Sequence, residues 1–488
     1  MKRPNVLVFM TDHQRGDTVL AEHPCRTPNV VRLASEGVTF TNAFCPSPHC
    51  CPSRATFHSG LYPTRHGVWN NVCNDQALAR GLAPGVRLWS EDLAGAGYDL
   101  FWTGKWHVSA EETPKDHGWR EGLVSGFKPT EHGPTWRHYE RVAGEPEPGR
   151  RGEGEILRPG YGTYRLYGER EAEGEGHDER ATAEAIEAIE RLSAGDRPWA
   201  IFAGLQGPHD PYMVPSRFLD LYDLDDVPLP PSFADTLEDK PRIYRRMRRT
   251  RFGQLSEREV REGIRHYWAY CSYLDEQFGA VLAALDRSGR AEDTIVLYCS
   301  DHADYCGDHG LFAKGIPCFR GAYHVPWIVR WPRGIRQPGR REDAFVSLAD
   351  FVPTVLEATG LQAKREFSGA SLVPFLRGER PADWRDAIFT QCNGVELYYT
   401  QRSVATRDYK YVFNGFDDDE LYDLRSEEHE MQNLAADPGM QKVVHEMCGR
   451  LWRFAEREGD AAINGYITVA LAPYGPAEAF RSAPAGGA

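Results

Sequence analysis

Asn5-Val6-Leu7-Val8-Phe9-Met10-Thr11-Asp12 decides how this chain is read. Val6 to Met10 is a β-branched, apolar run of strand length, and Asp12 follows it directly. A second run, Thr294–Cys299, is followed in the same way by Asp301-His302. Trp199–Ala203 and Trp327–Arg330 are further strand candidates. Helical patterns lie between the runs. One carries Leu274, Phe278, Val281, Leu282 and Leu285 on one face, and another spans about Ala181 to Leu192. This alternation predicts an α/β domain with a largely parallel sheet. In open α/β sheets ligands gather outside the carboxyl ends of strands. Two strands therefore deliver Asp12, Asp301 and His302 to one edge. Carboxylates with an imidazole suit a divalent cation. Singly, an Asp after a strand also reads as a turn or cap residue, and a His as a satisfied core or surface group. The joint pattern is what points to a metal.

Composition bounds the rest. A chain of 488 residues buries a large core and divides into two or more domains. The formal net charge of −14 argues against nucleic-acid binding but leaves room for a small basic pocket for an anion. Eleven cysteines, odd in number and scattered, do not form a disulfide framework. The opening run is too short, and too soon followed by Asp12, for a signal peptide or membrane span. The chain as it stands reads as cytoplasmic with no membrane partner; a removed secretory leader stays open.

Cys50-Cys51-Pro52-Ser53-Arg54-Ala55-Thr56 is the second informative stretch. An arginine four residues after Cys50 and a proline two after it make a poor thiol-protease setting but a good anion-holding turn. A helix at Ser53–Ser59 would favour an anion at its N-terminus. Further on stand Gly60-Leu61-Tyr62-Pro63-Thr64-Arg65-His66-Gly67 and Gly97-Tyr98-Asp99-Leu100-Phe101-Trp102-Thr103-Gly104-Lys105-Trp106-His107. Gly207-Pro208-His209-Asp210-Pro211 follows the Trp199 strand, and Asp301-His302-Ala303-Asp304 leads to Lys314.

These stretches together resemble the formylglycine-dependent (type I) sulfatases of the alkaline phosphatase superfamily, nearest the choline sulfatase and phosphonate monoester hydrolase branch. The resemblance covers most of residues 4–435. It implies an α/β fold, a large mostly parallel sheet flanked by helices (alkaline phosphatase-like), with a smaller C-terminal antiparallel-sheet subdomain. It implies that Cys50, not Cys51, is oxidised to formylglycine by a maturation enzyme. The metal ligands it implies are Asp12, Cys50, Asp301 and His302, around one divalent cation, Ca2+ first and Mn2+ or Zn2+ tolerable. His13 stands where relatives carry a second acidic residue or Gln, and is left out of the ligands. Lys105 and Lys314 resemble the sulfate-binding lysines, His107 an orienting or proton-handling histidine, and His209 the histidine facing the leaving oxygen. Asn71 matches a substrate-binding Asn, with Asn70 as its competitor. Arg54 completes the catalytic set.

Residues 1–376 read as the catalytic domain, with exposed insertions at about 144–178 and 235–262. Short strands at Ile388–Thr390, Ser403–Thr406, Tyr409–Phe413 and Glu420–Leu424 place the smaller subdomain at 377–464. Residues 465–488 read as an extended arm or tail that packs on the main domain or a neighbouring subunit of a homo-oligomer.

The reaction expected is hydrolysis of a small anionic sulfate ester to alcohol and sulfate. Arg54, Lys105, Lys314 and the cation would hold the sulfate charge, and His209 or Lys314 would protonate the alcohol. Two alternatives stay open: a phosphonate monoester or phosphodiester hydrolase on the same scaffold, and a catalytically silent binder of sulfated glycans in which Cys50 is unmodified.

Overall fold

The computed structural model describes residues 3–127, 136–144, 150–170, 174, 176–362, 365–395, 397–463 and 466–481. Its main sheet has eight strands: β1 (Asn5–Asp12), β2 (Val38–Phe44), β3 (Asp99–Lys105), β4 (Arg120–Ser125), β5 (Trp199–Pro208), β6 (Thr294–Ser300), β7 (Trp327–Arg330) and β8 (Arg340–Ser347). Their spatial order is β8-β2-β7-β6-β1-β5-β3-β4. β1 is buried along its whole length. A strand covered on both sides needs no polar alternation, which is why it reads as an apolar run. β6 and β5 flank it in parallel. β7 runs antiparallel to β6 and β2, and the remaining pairings are parallel. The carboxyl ends of β1, β6, β3 and β5 therefore share one edge.

Helix α1 (Cys50–Ser59) is buried throughout. It begins at Cys50, three residues earlier than the sequence pattern suggests. α2 (His177–Ser193) and α3 (Glu257–Arg287) pack against each other beside the sheet. α3 starts with a capping box, in which Ser256 Oγ accepts from Glu259 N (3.3 Å) and Glu259 Oε2 accepts from Ser256 N (2.9 Å). Its predicted apolar face is buried, with the Phe278 ring 5.0 Å from Phe9 and 4.9 Å from Tyr298. Each such aromatic contributes about 1.5–3 kcal/mol on burial.

Gly104 sits one residue before the end of β3, at φ +99°, and a Cβ there would lie 1.8 Å from the Gly204 carbonyl oxygen. Only glycine lets β3 and β5 approach this closely just ahead of Lys105.

A second, antiparallel sheet holds β9 (Ile388–Cys392), β10 (Gln401–Ala405), β11 (Tyr409–Asn414) and β12 (Glu420–Asp423) in sequential order. Helix α4 (Gln441–Glu458) covers it through Val444, Met447, Leu451 and Trp452. Beneath it Arg402 and Asp460 form a wholly buried bidentate pair at 2.6 and 3.0 Å.

Three stretches differ from their sequence reading. The described part of 144–178 does not simply project. It forms a hairpin, Glu155–Arg158 with Gly162–Arg165, and buries Ile156, Leu166 and Tyr167. Its charged residues are used inward: Arg151 pairs with Glu259 of α3 at 2.6 Å. Residues 235–262 are helical as expected, but bury Leu237, Tyr244 and Phe252, and hold the Lys240 ammonium 3.0 Å from Asp235. The tail is not extended. It makes short helical turns at Tyr466–Ala470 and Glu478–Arg481, the second packed on α4, where Trp452 Nε1 donates to the Tyr474 carbonyl at 2.8 Å. Local bonds between residues three or four apart, such as Phe480 N and Arg481 N to the Ala477 carbonyl at 3.1 and 3.2 Å, satisfy a backbone that an extended arm would leave to water. Residues 482–488 lie outside the described residues, as do parts of 144–178.

All eleven cysteines are buried and none is in a disulfide. Among the described residues no helix is long and apolar enough to cross a membrane.

Candidate active site

Asp12 ends β1, Lys105 ends β3, and Asp301 and His302 follow β6 directly. His209 follows β5, and Cys50 begins α1. The strand ends thus bring residues from six parts of the chain to one sulfur. His302 Nε2 is 3.1 Å from Cys50 Sγ, Lys314 Nζ 3.3 Å and Lys105 Nζ 3.4 Å. Asp12 Oδ1 is 3.8 Å away. His107 and His209 stand close enough to act on the charge of this sulfur.

Arg54 lies one turn into α1 and is fully buried. Its Nε donates to Asp301 Oδ2 at 2.7 Å, one terminal nitrogen to Asp12 Oδ2 at 3.0 Å, and the other to the Lys105 carbonyl at 2.9 Å. Three of the five guanidinium N–H donors are thus engaged by two carboxylates and a backbone oxygen, so Arg54 bridges the two acidic residues.

Electrostatics follow from this packing. Burial would push the Cys50 thiol up, but Lys105, Lys314 and His302 outweigh it and hold it well below its ordinary range. Burial pushes Cys51 well up, and its sulfur accepts from Val72 N at 3.4 Å, away from the cations. The two neighbouring thiols thus sit in opposite electrostatic surroundings. Burial raises Asp12, yet Lys105, at 2.5 Å, and Arg54 bring it well below the usual carboxylate range. Asp301 is raised by burial, with Arg54 its main opposing partner. Burial lowers His209 and so does Lys314, but the net shift is upward, through Asp210 and the Cys50 sulfur.

The fit to a divalent cation can be judged from the donors. One ligand atom each from Asp12, Cys50, Asp301 and His302 lies within 4.8 Å of the others, and all four residues are buried. His302 Nε2 is 3.6 Å from Asp12 Oδ1 and 3.7 Å from Asp301 Oδ1, too far for hydrogen bonds. Lone pairs facing one another across such gaps in a dry pocket suit a cation between them.

Asn71 Oδ1 accepts from Cys51 N at 3.3 Å, beside the start of α1. Asn70 is buried in its own loop, accepting from Leu78 N at 2.9 Å and donating to the Gln76 carbonyl at 3.4 Å. That leaves Asn71 as the candidate of the two. Sequence reasoning missed the partners of His209. His13 is fully buried, its ring 4.8 Å from that of His209 and 4.6 Å from that of His302. Its Nδ1 faces Asp210 Oδ1 at 3.4 Å and its Nε2 faces Asp304 Oδ2 at 3.3 Å. Adjacency to Asp12, His209 and His302 was the available signal. His13, His107 and Ala313, each next or nearly next to a site residue, have φ of +76°, +56° and +58°, the kind of backbone strain that collects at functional sites.

Comparison with known proteins follows this geometry. Residues 4–361 match the sulfatase family, and residues 307–457 match the C-terminal region described for N-sulphoglucosamine sulphohydrolase. The chain belongs to the sulfatase family. The choline-sulfatase of Rhizobium meliloti (strain 1021) is 29% identical over 458 residues, 89% of this chain and 83% of that protein. A multifunctional alkaline phosphatase superfamily protein of Trinickia caryophylli is 26% identical over 94% of this chain and 96% of its own length. The crystal structure of the phosphonate monoester hydrolase of Agrobacterium radiobacter superposes with a TM-score of 0.76 at 25% identity, covering 93% of this chain and 96% of that one. The α/β fold with its smaller antiparallel sheet is thus the alkaline phosphatase-like sulfatase fold, and this sulfatase is a sulfuric ester hydrolase.

Proposed function

We propose that this sulfatase cleaves a sulfate monoester to an alcohol and inorganic sulfate at residue 50, present as formylglycine in the active protein. The convergence of two ammonium groups and three further buried ligand donors on Cys50 carries the reading. Asp12, Asp301, His302 and residue 50 would hold one divalent cation. Two carboxylates favour Ca2+, and the imidazole makes Mn2+ or Zn2+ tolerable. When bound, that cation supplies positive charge, and formylglycine supplies an oxygen nucleophile where the thiol stands.

The chain's own residues do the rest. Lys105 and Lys314 reach the sulfate oxygens and oppose the charge that spreads over them in the transition state. Arg54 bridges Asp12 and Asp301 and, wholly buried, does not reach the substrate. His107 orients residue 50. His209 Nε2 accepts from the Lys314 ammonium (2.9 Å) and its Nδ1 faces Asp210, so a proton shared by His209 and Lys314 can pass to the leaving oxygen. Its side chain is 33% exposed, whereas Asp12, Arg54, Asp301 and His302 have no exposure. The alcohol half of the substrate therefore lies on the His209 side, with Asn71 as a further substrate contact. In a chain of net charge −14 this knot of cations draws anions to one place. Because Cys50 is 1% exposed, a formylglycine-generating enzyme must act before the chain has folded around it.

The likeness to a phosphonate monoester hydrolase across 93% of the chain favours a second reading, hydrolysis of phosphonate monoesters in the same pocket. Offering 4-nitrophenyl sulfate and a 4-nitrophenyl phosphonate at equal concentration separates the two. Faster release from the sulfate supports the main reading, and faster release from the phosphonate supports the second.

A further inference from the structure

The hairpin Glu155–Arg165 stands against the open side of the site. Tyr164, on its second strand, donates its hydroxyl to Asp210 Oδ2, next to His209. Arg158, on its first strand, lies over two tyrosines, its guanidinium carbon 4.0 Å from the Tyr161 ring centre and 5.5 Å from that of Tyr164. A second arginine, Arg251, is brought to the same face. Gln254, three residues on, brackets the hairpin backbone, accepting from Leu157 N and donating to the Leu157 carbonyl, both at 3.0 Å. Arg251 is close enough to act on the charges of both Arg158 and Tyr164.

Neither arginine has a carboxylate partner among the described residues, and Arg158 Nε is buried with no hydrogen-bond partner at all. The nearby acids are already engaged: Glu155 with Arg165 at 2.9 Å, and Asp210 with Tyr164, His209 and His13. The tyrosine rings satisfy the flat face of the Arg158 guanidinium but not its edge donors. Two half-buried like charges that act on one another are unfavourable unless something negative joins them. Burial and the charge of Arg251 accordingly both lower Arg158.

We propose that Arg158 and Arg251 bind a second anionic group, a carboxylate or a sulfate, carried on the alcohol half of the ester. This rests on the sulfatase reading and narrows its substrate class to esters with two negative charges. One charge sits on the reacting sulfate at residue 50, and the other lies across His209 and Tyr164. The half-buried Tyr139 ring, 5.4 Å from Tyr161, extends the same face outward and offers a surface for a sugar or aryl ring.

The test compares phenyl sulfate with 4-carboxyphenyl sulfate and its meta isomer. It uses the full-length mature enzyme and its Arg158→Gln, Arg251→Gln and doubly substituted variants. Wild type should prefer a carboxylated ester. The double variant should lose about ten-fold or more of that preference in kcat/KM, while phenyl sulfate is turned over as before. An unchanged preference in the double variant, or no preference in wild type, overturns the proposal. Failure of the sulfatase reading looks different, because wild type would then release sulfate from none of the three. In that event calorimetry with 4-carboxyphenyl sulfate and Cys50→Ala protein still decides. Binding weakened by the two arginine substitutions supports the subsite, and equal binding rejects it. Melting curves of each variant identify any loss that comes from misfolding.

Discussion

Replacing Arg54 by lysine separates a clamp from a substrate contact. Arg54 spans Asp12 and Asp301 at 3.0 and 2.7 Å and ties both to the Lys105 carbonyl. A hydrogen bond to a charged group contributes about 1.5–3 kcal/mol. Lysine keeps the charge but reaches one carboxylate at a time, so one or two such bonds are lost, about 2–5 kcal/mol in all. Released from the clamp, Asp12 and Asp301 no longer hold one arrangement. Outer-shell changes of this kind lower metal affinity by about 10–100-fold. A chromophoric chelator in competition with the purified enzyme reads that affinity. KM for 4-nitrophenyl sulfate, at saturating metal, should change little, because Arg54 has no exposed surface to offer an anion. Unchanged metal affinity together with a large rise in KM would refute the reasoning and return Arg54 to the sulfate.

His209→Gln should slow esters of poor leaving groups by about 10²–10⁴-fold and nearly spare those with acidic phenols, read as the dependence of kcat/KM on leaving-group acidity. An equal loss across the series would make His209 a binding residue. Gly104→Ala forces a side chain at φ +99° against the Gly204 carbonyl, so the urea midpoint should fall by the equivalent of about 2 kcal/mol or more; an unchanged midpoint contradicts the packing of β3 on β5. Burial raises Asp419 from 3.8 to about 7, so the folded chain holds this proton more tightly than the unfolded one. The resulting stability is complete below about pH 4 and is lost as pH rises through about 7. Asp419→Asn should therefore lose less stability than wild type between about pH 5 and pH 8, and parallel profiles would show that Asp419 is ionised throughout.

Much of the fold was legible because its signals are local. β1, β5, β6 and β7 are buried strands and read as apolar runs, and α3 shows its face at helical spacing. The candidate ligand cluster was legible because two strands end in acids at equivalent positions. What stayed hidden depends on pairings far apart in sequence. The bridge made by Arg54 needs Asp301, 247 residues away, and the surroundings of His13 need Asp210 and Asp304. Composition misled at 144–178 and 235–262. Glu and Arg were read as solvated, but Arg151 with Glu259 and Lys240 with Asp235 are charges turned inward and neutralised there. The tail misled because proline and glycine discourage long helices, not single turns docked on α4.

Mass spectrometry of the peptide containing Cys50 and Cys51, taken from protein that releases sulfate, tests the central claim most directly. Lys105, Lys314 and His302 converge on Cys50, while Cys51 is turned toward Val72. The account predicts an aldehyde at residue 50 and an intact thiol at residue 51, with activity rising in proportion to the modified fraction. Full activity in protein whose Cys50 is an unmodified thiol would contradict it.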